Sequence, residues 1–395
     1  MTINKLSSVL LLLVAVSLIT VPTLYFFGCE ETKVVLFGKE RTVKVPEFGR
    51  KSYRDRSFQK AFEENYAKHF FLRKTFLKTK YQLLDWLNLG QFHEGYSHRV
   101  LEGRDGTLFE SHYVKYHLDK KPINATIKPP SLQTLKAILG ICQDNAIDFI
   151  VLLAPDKVQI YHEQLPWWTS LFGELSNMNS QSEFAAILKE NGIPVFDASS
   201  FLLQEKASRT ELLFPQNGTH WNALSAALSV EKMFELLNES KAPEDKYRLN
   251  RLIDVEHVEA PLYNDTDIGL LLNVWDGSRL RKNVNLSPVY KETRFKPNPG
   301  SVAVFGDSFS YQPVKAMQKA GLFGPYKVLK FDKRVPKDDE MSKIASDLRL
   351  LVLVFQPPNF YDVWHRHNWD KPLLEFKEQL HKFCNKKVGS KQPSK

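Results

Sequence analysis

SVAVFGDSFS, Ser301 to Ser310, carries the clearest structural signal of this chain. A short apolar run, SVAVF, ends at Gly306, and Asp-Ser-Phe-Ser leads into a helical pattern from about Pro313. Such a run, without polar alternation, predicts a strand buried on both faces of a parallel sheet. Outward from it, similar runs occur at DFIVLLAP (Asp148 to Pro155), IPVF (Ile193 to Phe196), YKVLKF (Tyr326 to Phe331) and LRLLVLVF (Leu348 to Phe355). Helical patterns lie between them: SLQTLKAILGICQDN from Ser131, QSEFAAILKENG, NALSAALSVEKMFELL after Asn222, and a last one from about Asp339. Strands alternating with helices predict the α/β class, a doubly wound parallel sheet. Lys241 to Gly300 breaks the alternation and reads as an insertion bordering the site, since long irregular insertions are often functional.

In that fold Ser308 falls at the carboxyl edge of the sheet, where ligands bind. Gly306 lets the backbone turn tightly. Ser308 then presents its hydroxyl at the start of the next helix, where free backbone N–H groups favour negative charge and can stabilise the oxyanion of an attacked ester. Asp307 reads as a turn or capping residue. A serine nucleophile needs a base. His220, in FPQNGTHWNALSAAL, is the candidate, just ahead of a helix capped by Asn222 or Thr219. The adjacent Trp221 is either a sugar-stacking platform or a core residue. Lys157, Tyr161, Gln356 and Asn359 lie near strand ends, and Gln356 directly follows LVLVF. Each is a candidate substrate contact set against a structural role.

The chain has 395 residues, 43% hydrophobic and 12% aromatic, enough for a sizeable core. Its net charge of +9 suits polyanions, but no zinc-finger or RNP-type signature occurs, which ranks nucleic acid low. The three cysteines, Cys29, Cys142 and Cys384, form neither a disulfide framework nor a metal motif. No metal or cofactor is expected. Cys142 falls in an apolar helical pattern and reads as core. At the N-terminus, the apolar run from Val9 to Phe27, with Lys5 before it and Glu30 and Glu31 after it, is long enough to span a bilayer. It reads as an uncleaved signal anchor with the body outside; Gly28-Cys29 offers a lipoprotein alternative. A long amphipathic segment, Phe58 to Leu87, follows, and then Gly103-Arg104-Asp105-Gly106 reads as a tight turn between extended segments.

Taken in order, these motifs resemble the AlgX/AlgJ-type family of SGNH-like polysaccharide O-acetyltransferases. The resemblance covers most of the chain. It rests on the helix carrying HFFLRKTFL, on VLEGRDGTLF (Val100 to Phe109), on APDKVQIYHEQLP with Lys157, Tyr161 and Pro166 matching, and on the THWN and GDSF elements with histidine before serine. It implies residues 1–28 as the anchor, 29–110 as a membrane-proximal helical segment, 111–385 as the SGNH-like acyltransferase domain with 241–300 inserted, and 386–395 as a basic tail. It also implies His220 as general base and Ser308 as acyl-accepting nucleophile. Acetyl would come from a membrane-bound O-acyltransferase partner and pass to a polysaccharide hydroxyl, with the domain outside the inner membrane in the periplasm or extracytoplasmic space. Water in place of the sugar would make the protein an esterase.

The family's best-known members carry Asp-Thr-His-Trp, with the aspartate completing a triad; this chain has Gly218 there. Glycine can neither orient a histidine tautomer nor stabilise an imidazolium. Three readings stay open: a Ser–His dyad, an acid supplied by Asp265 or Asp267, or a non-catalytic polysaccharide-binding or assembly protein on the same cleft. A membrane-anchored structural protein without ligand chemistry is the further alternative.

Overall fold

A computed structural model describes residues 34–36, 47–69, 73–87, 100–118, 129–262, 265–277, 285–291, 298–322, 328–332, 347–356 and 370–389. The chain divides into two units, residues 1–97 with 270–278, and residues 98–269 with 279–395. In the first, the amphipathic segment forms the helices Ser57–His69 and Arg73–Trp86, preceded by Arg50–Arg54. Phe58 and Phe62 stack with ring centroids 6.0 Å apart. The Trp275 indole N–H donates to Thr79 at 3.1 Å, and Asp276 N–H to Gln82 at 2.7 Å. The expected anchor at 1–28 lies outside the described residues; among those described, no helix is long and apolar enough to cross a membrane.

The second unit holds a five-stranded sheet. In chain order its strands are β3 (Asp148–Leu153), β4 (Val195–Asp197), β7 (Ser301–Gly306), β8 (Val328–Asp332) and β9 (Leu348–Phe355). They lie in the spatial order β4-β3-β9-β7-β8, every pair parallel. Two antiparallel pairs stand apart from it: β1 (Val100–Glu102) with β2 (Leu108–Glu110), and β5 (Leu252–Val258) with β6 (Asn285–Tyr290).

Successive side chains of a strand point to opposite faces. On β9, Leu350, Val352 and Val354 enter one core, while Leu351, Leu353 and Phe355 enter the other. Both faces are therefore covered, which is why the strand reads as one apolar run. The first core takes the helices Ala223–Glu239 and Tyr311–Lys319, through residues such as Leu224, Met233, Val314 and Met317. The second takes Pro129–Asp144, Ser180–Glu190 and Asp370–Gly389. There Phe305 stacks on Phe376 at 4.5 Å, a contact worth about 0.5–1.5 kcal/mol beyond burial. Cys142 is wholly buried in this core, and burial pushes its thiol up to about 12.

Two expectations on the extent of elements need adjustment, and a third lies outside the described residues. The hairpin 100–110 groups with the sheet unit, because Leu101 and Phe109 join its core. The last helix continues past Lys386 to Gly389 and is tied down by Leu373, Phe376, Leu380 and Phe383 on one face. The helix expected from about Asp339 falls outside the described residues.

Candidate active site

At the carboxyl end of β7 the chain turns through Gly306 and Asp307 into a 3-10 turn, Ser308–Ser310, and then the helix Tyr311–Lys319. Gly306 is not in the left-handed region; space makes it necessary. A Cβ there would lie 2.5 Å from the Val354 carbonyl oxygen and 3.0 Å from Ser310 Cβ. Asp307 is a structural hub. Its Oδ1 accepts from Phe309 N–H at 2.9 Å and its Oδ2 from Gln356 N–H at 3.2 Å, while its carbonyl accepts from the Ser310 hydroxyl at 2.5 Å. These bonds pin the turn to the end of β9. They leave Ser308 exposed between two buried neighbours, Asp307 and Phe309.

His220 stands in the loop before the helix Ala223–Glu239, whose N-cap is Asn222, its side chain accepting from Ser225 N–H at 3.0 Å. The His220 ring packs on the Phe309 ring with centroids 4.6 Å apart, and the Trp221 indole N–H donates to the Phe309 carbonyl at 3.0 Å. His220 and Trp221 thus both grip the residue that follows Ser308. His220 Nδ1 lies 2.6 Å from Asp267 Oδ2. A carboxylate only accepts, so Nδ1 carries the proton and a neutral ring keeps its lone pair on Nε2. Among the described residues, that buried Nε2 has no hydrogen-bond partner. Ser308 and His220 are not hydrogen-bonded here; bonds of this kind often tighten only when substrate is bound.

The carboxylate at Nδ1 belongs to the 241–300 segment, at the start of the helix Asp267–Leu271. Its other oxygen, Oδ1, accepts from Thr219 N–H at 2.8 Å, so one carboxylate holds both the histidine and the residue before it. Asp265 is a different kind of neighbour. It is almost fully buried, its Oδ2 accepts from Leu262 N–H at 3.1 Å, and its Oδ1 has no partner among the described residues. Burial pushes its carboxyl up to about 7; the Leu262 N–H and the charge of His220 oppose the rise, and Asp267 adds to it.

The remaining candidates take their places behind the site. Trp221 has no exposed surface, so the sugar-platform expectation is corrected: its ring fills the core. Lys157 is 3% exposed and its Nζ donates to the carbonyls of Pro215, Gln216 and Gly218 at 2.5, 2.9 and 3.0 Å. An ammonium has three protons, and all three are used on backbone, which corrects the substrate-contact expectation. Burial pulls this ammonium down to about 7, against the pull of the Asp267 carboxylate. Tyr161 is buried too, its hydroxyl accepting from Leu213 N–H at 2.9 Å, which is a structural contact. Gln356 is buried beside the Asp307 turn, and Asn359 lies outside the described residues. Sequence reading gave no part to Glu110, whose Oε2 accepts from the Thr219 hydroxyl at 2.8 Å; an acid closing a hairpin leaves no pattern of its own. Among the described residues no cluster of three or more His, Cys, Asp or Glu side chains could hold a metal ion.

A family model described as SGNH hydrolase-like domain, acetyltransferase AlgX, matches residues 100–320. No curated protein matches the chain. Among solved structures, the O-acetyltransferase domain of Pseudomonas putida AlgJ is 16% identical with a TM-score of 0.47, covering 72% of this chain and 99% of that one. Pseudomonas aeruginosa AlgX is 13% identical with a TM-score of 0.47, covering 74% and 69%. Bacillus cereus PatB1, solved with a sulfonyl adduct, is 11% identical with a TM-score of 0.41, covering 66% and 94%.

Proposed function

Because the chain belongs to the AlgX family of SGNH hydrolase-like acetyltransferases, we propose that it transfers acetyl to a hydroxyl of an exported or cell-surface polysaccharide, with Ser308 carrying the acyl group. The observation that carries this reading is the His220 ring, held at Nδ1 by Asp267 with Nε2 unpartnered, packed on the residue next to an exposed Ser308.

In the first half-reaction Ser308 Oγ attacks the acetyl carbonyl carbon of the donor while its proton moves to His220 Nε2. Asp267 accepts from Nδ1–H and stabilises the imidazolium that forms. The backbone N–H of Ser308 faces the developing oxyanion. The tetrahedral species collapses, the donor's oxygen leaves with the proton from Nε2, and acetyl remains on Ser308. In the second half a sugar hydroxyl gives its proton to Nε2 and attacks the acetyl-serine ester. Ser308 Oγ then leaves and takes that proton back. Water in place of the sugar gives ester hydrolysis. The donor in this reading is a membrane-bound O-acyltransferase, and residues 9–27 tether the domain to the inner membrane on its extracytoplasmic side.

The non-catalytic reading draws its support from Gly218; the Asp267–His220 bond supports the catalytic reading. The test uses the full-length chain in detergent with a chromogenic acetyl ester. A burst followed by slow turnover is expected, with Ser308→Ala and His220→Ala each losing at least about 1,000-fold in kcat. Equal slow turnover in all three proteins would sink the reading.

A further inference from the structure

The loop that presents His220 has its backbone carbonyls taken from behind. Pro215 and Gly218 carbonyls accept from Lys157, and the Gln216 carbonyl accepts from both Lys157 and Leu108 N–H, the latter at 2.8 Å. The Asn217 carbonyl accepts from Gly269 N–H at 2.9 Å, two residues beyond Asp267. Lys157 is the only side chain among these donors. Its own backbone is fixed in turn: it opens the helix Lys157–Ile160, capped by Asp156, whose Oδ1 accepts from Gln159 N–H at 2.8 Å. Asp156 Oδ2 lies 2.8 Å from Nε2 of the fully buried His117. The Phe109 ring, 5.5 Å from Nζ, closes the other side.

We infer that Lys157 is the positioning residue of the site: its ammonium gathers the Pro215, Gln216 and Gly218 carbonyls so that Thr219 N–H and His220 Nδ1 meet the two oxygens of Asp267. Three converging carbonyl dipoles would repel one another in a dry interior, and a single three-proton cation is the group that neutralises them. The arrangement also gives position 218 a use. Gly218 contributes a backbone oxygen to the clamp, and the acid function is carried from Asp267, on the far side of the same loop. Lys157 touches no reacting atom in this account. This inference rests on the acyl-transfer reading for its kinetic consequence but not for its structural one.

The experiment compares full-length wild type, Lys157→Met and Lys157→Arg. The first readout is the downfield proton resonance of the His220–Asp267 hydrogen bond, identified by its loss in Asp267→Asn. The second is turnover of the chromogenic acetyl ester. Lys157→Met is expected to lose or shift the resonance and to lower kcat about 100-fold with KM little changed, as for a misplaced catalytic group. Lys157→Arg keeps the charge, but its planar fork cannot serve three converging oxygens, so partial recovery of both readouts is expected. It carries the test if the methionine variant does not fold. A folded variant whose resonance and kcat match wild type, with only its melting temperature lowered, overturns the inference. So does a raised KM at unchanged kcat, which would mean substrate contact. If wild type shows no Ser308-dependent turnover, the acyl-transfer reading fails, and the resonance alone still decides the role of Lys157.

Discussion

Asp267 Oδ2 lies 2.6 Å from His220 Nδ1, while its Oδ1 takes Thr219 N–H at 2.8 Å. One carboxylate therefore fixes a side chain and the backbone beside it, so the ring can neither rotate about its own bonds nor drift with its loop. In the proposed reaction, this contact serves in place of an acid two residues before the histidine.

Replacing this acid should be costly in rate and cheap in structure. Asp267→Asn keeps the shape but can present an amide N–H to Nδ1, which favours the wrong tautomer. Ester turnover is expected to fall by about 1,000- to 10,000-fold, by analogy with the same change in serine protease triads. Steady-state kinetics beside a thermal melt check this; a loss below tenfold would show that Ser308 and His220 work as a dyad.

Asp265 should reveal itself in stability. Its folded pKa is raised to about 7 from 3.8. Its contribution to stability is therefore complete below about pH 4 and is lost as pH rises through about 7, because the folded chain holds the proton longer than the unfolded one. Asp265→Asn cannot ionise. The melting temperature of this variant minus that of wild type is expected to increase steadily from about pH 4 to about pH 7. A difference that does not vary with pH would show that Asp265 is charged in the folded state.

Gly306→Ala tests whether the nucleophile turn is set by space. The added Cβ meets the Val354 carbonyl oxygen at 2.5 Å, and neither β7 nor β9 can yield without breaking their pairing. A cost of about 1–3 kcal/mol is expected in urea unfolding, as for other overpacked positions. Loss of Ser308 labelling by a sulfonyl fluoride should accompany it. Wild-type stability together with wild-type labelling would be the contrary result.

Trp221→Phe separates packing from sugar binding. It keeps an aromatic ring in the core and removes the donor to the Phe309 carbonyl, leaving that oxygen buried and unpaired, at about 1–3 kcal/mol. The denaturation midpoint is expected to fall while the KM for an oligosaccharide acceptor stays the same. An altered KM at unchanged stability would restore the stacking role.

These particulars also show what the sequence can and cannot reveal. The strands were legible because both faces of the sheet are covered: LRLLVLVF has no polar side to disguise it, and its eight residues form β9 as read. The positions of Ser308 and His220 were legible because each sits where a strand or loop meets a helix, a junction with its own signature. Asp267 was legible only as one of two aspartates in an irregular stretch. Its partner lies 47 residues away in the chain, and no local pattern encodes such a meeting. Lys157 and Tyr161 were visible as polar residues near strand ends. Whether such a group faces substrate or backbone depends on where the 213–218 loop returns, which periodicity does not record. The last helix carries Leu373, Phe376, Leu380 and Phe383 at helical spacing, but its polar flanks resemble a tail.

The bond from Gly269 N–H to the Asn217 carbonyl, beside the two that Asp267 makes, has a consequence for exchanging parts between relatives. Grafting the histidine loop of this chain onto another scaffold would transplant the base without its orienting partner. Trimming 241–300 as ornament would delete that partner outright. In the proposed reaction, the two segments work only together, and a chimera that separates them should fold around a mute histidine.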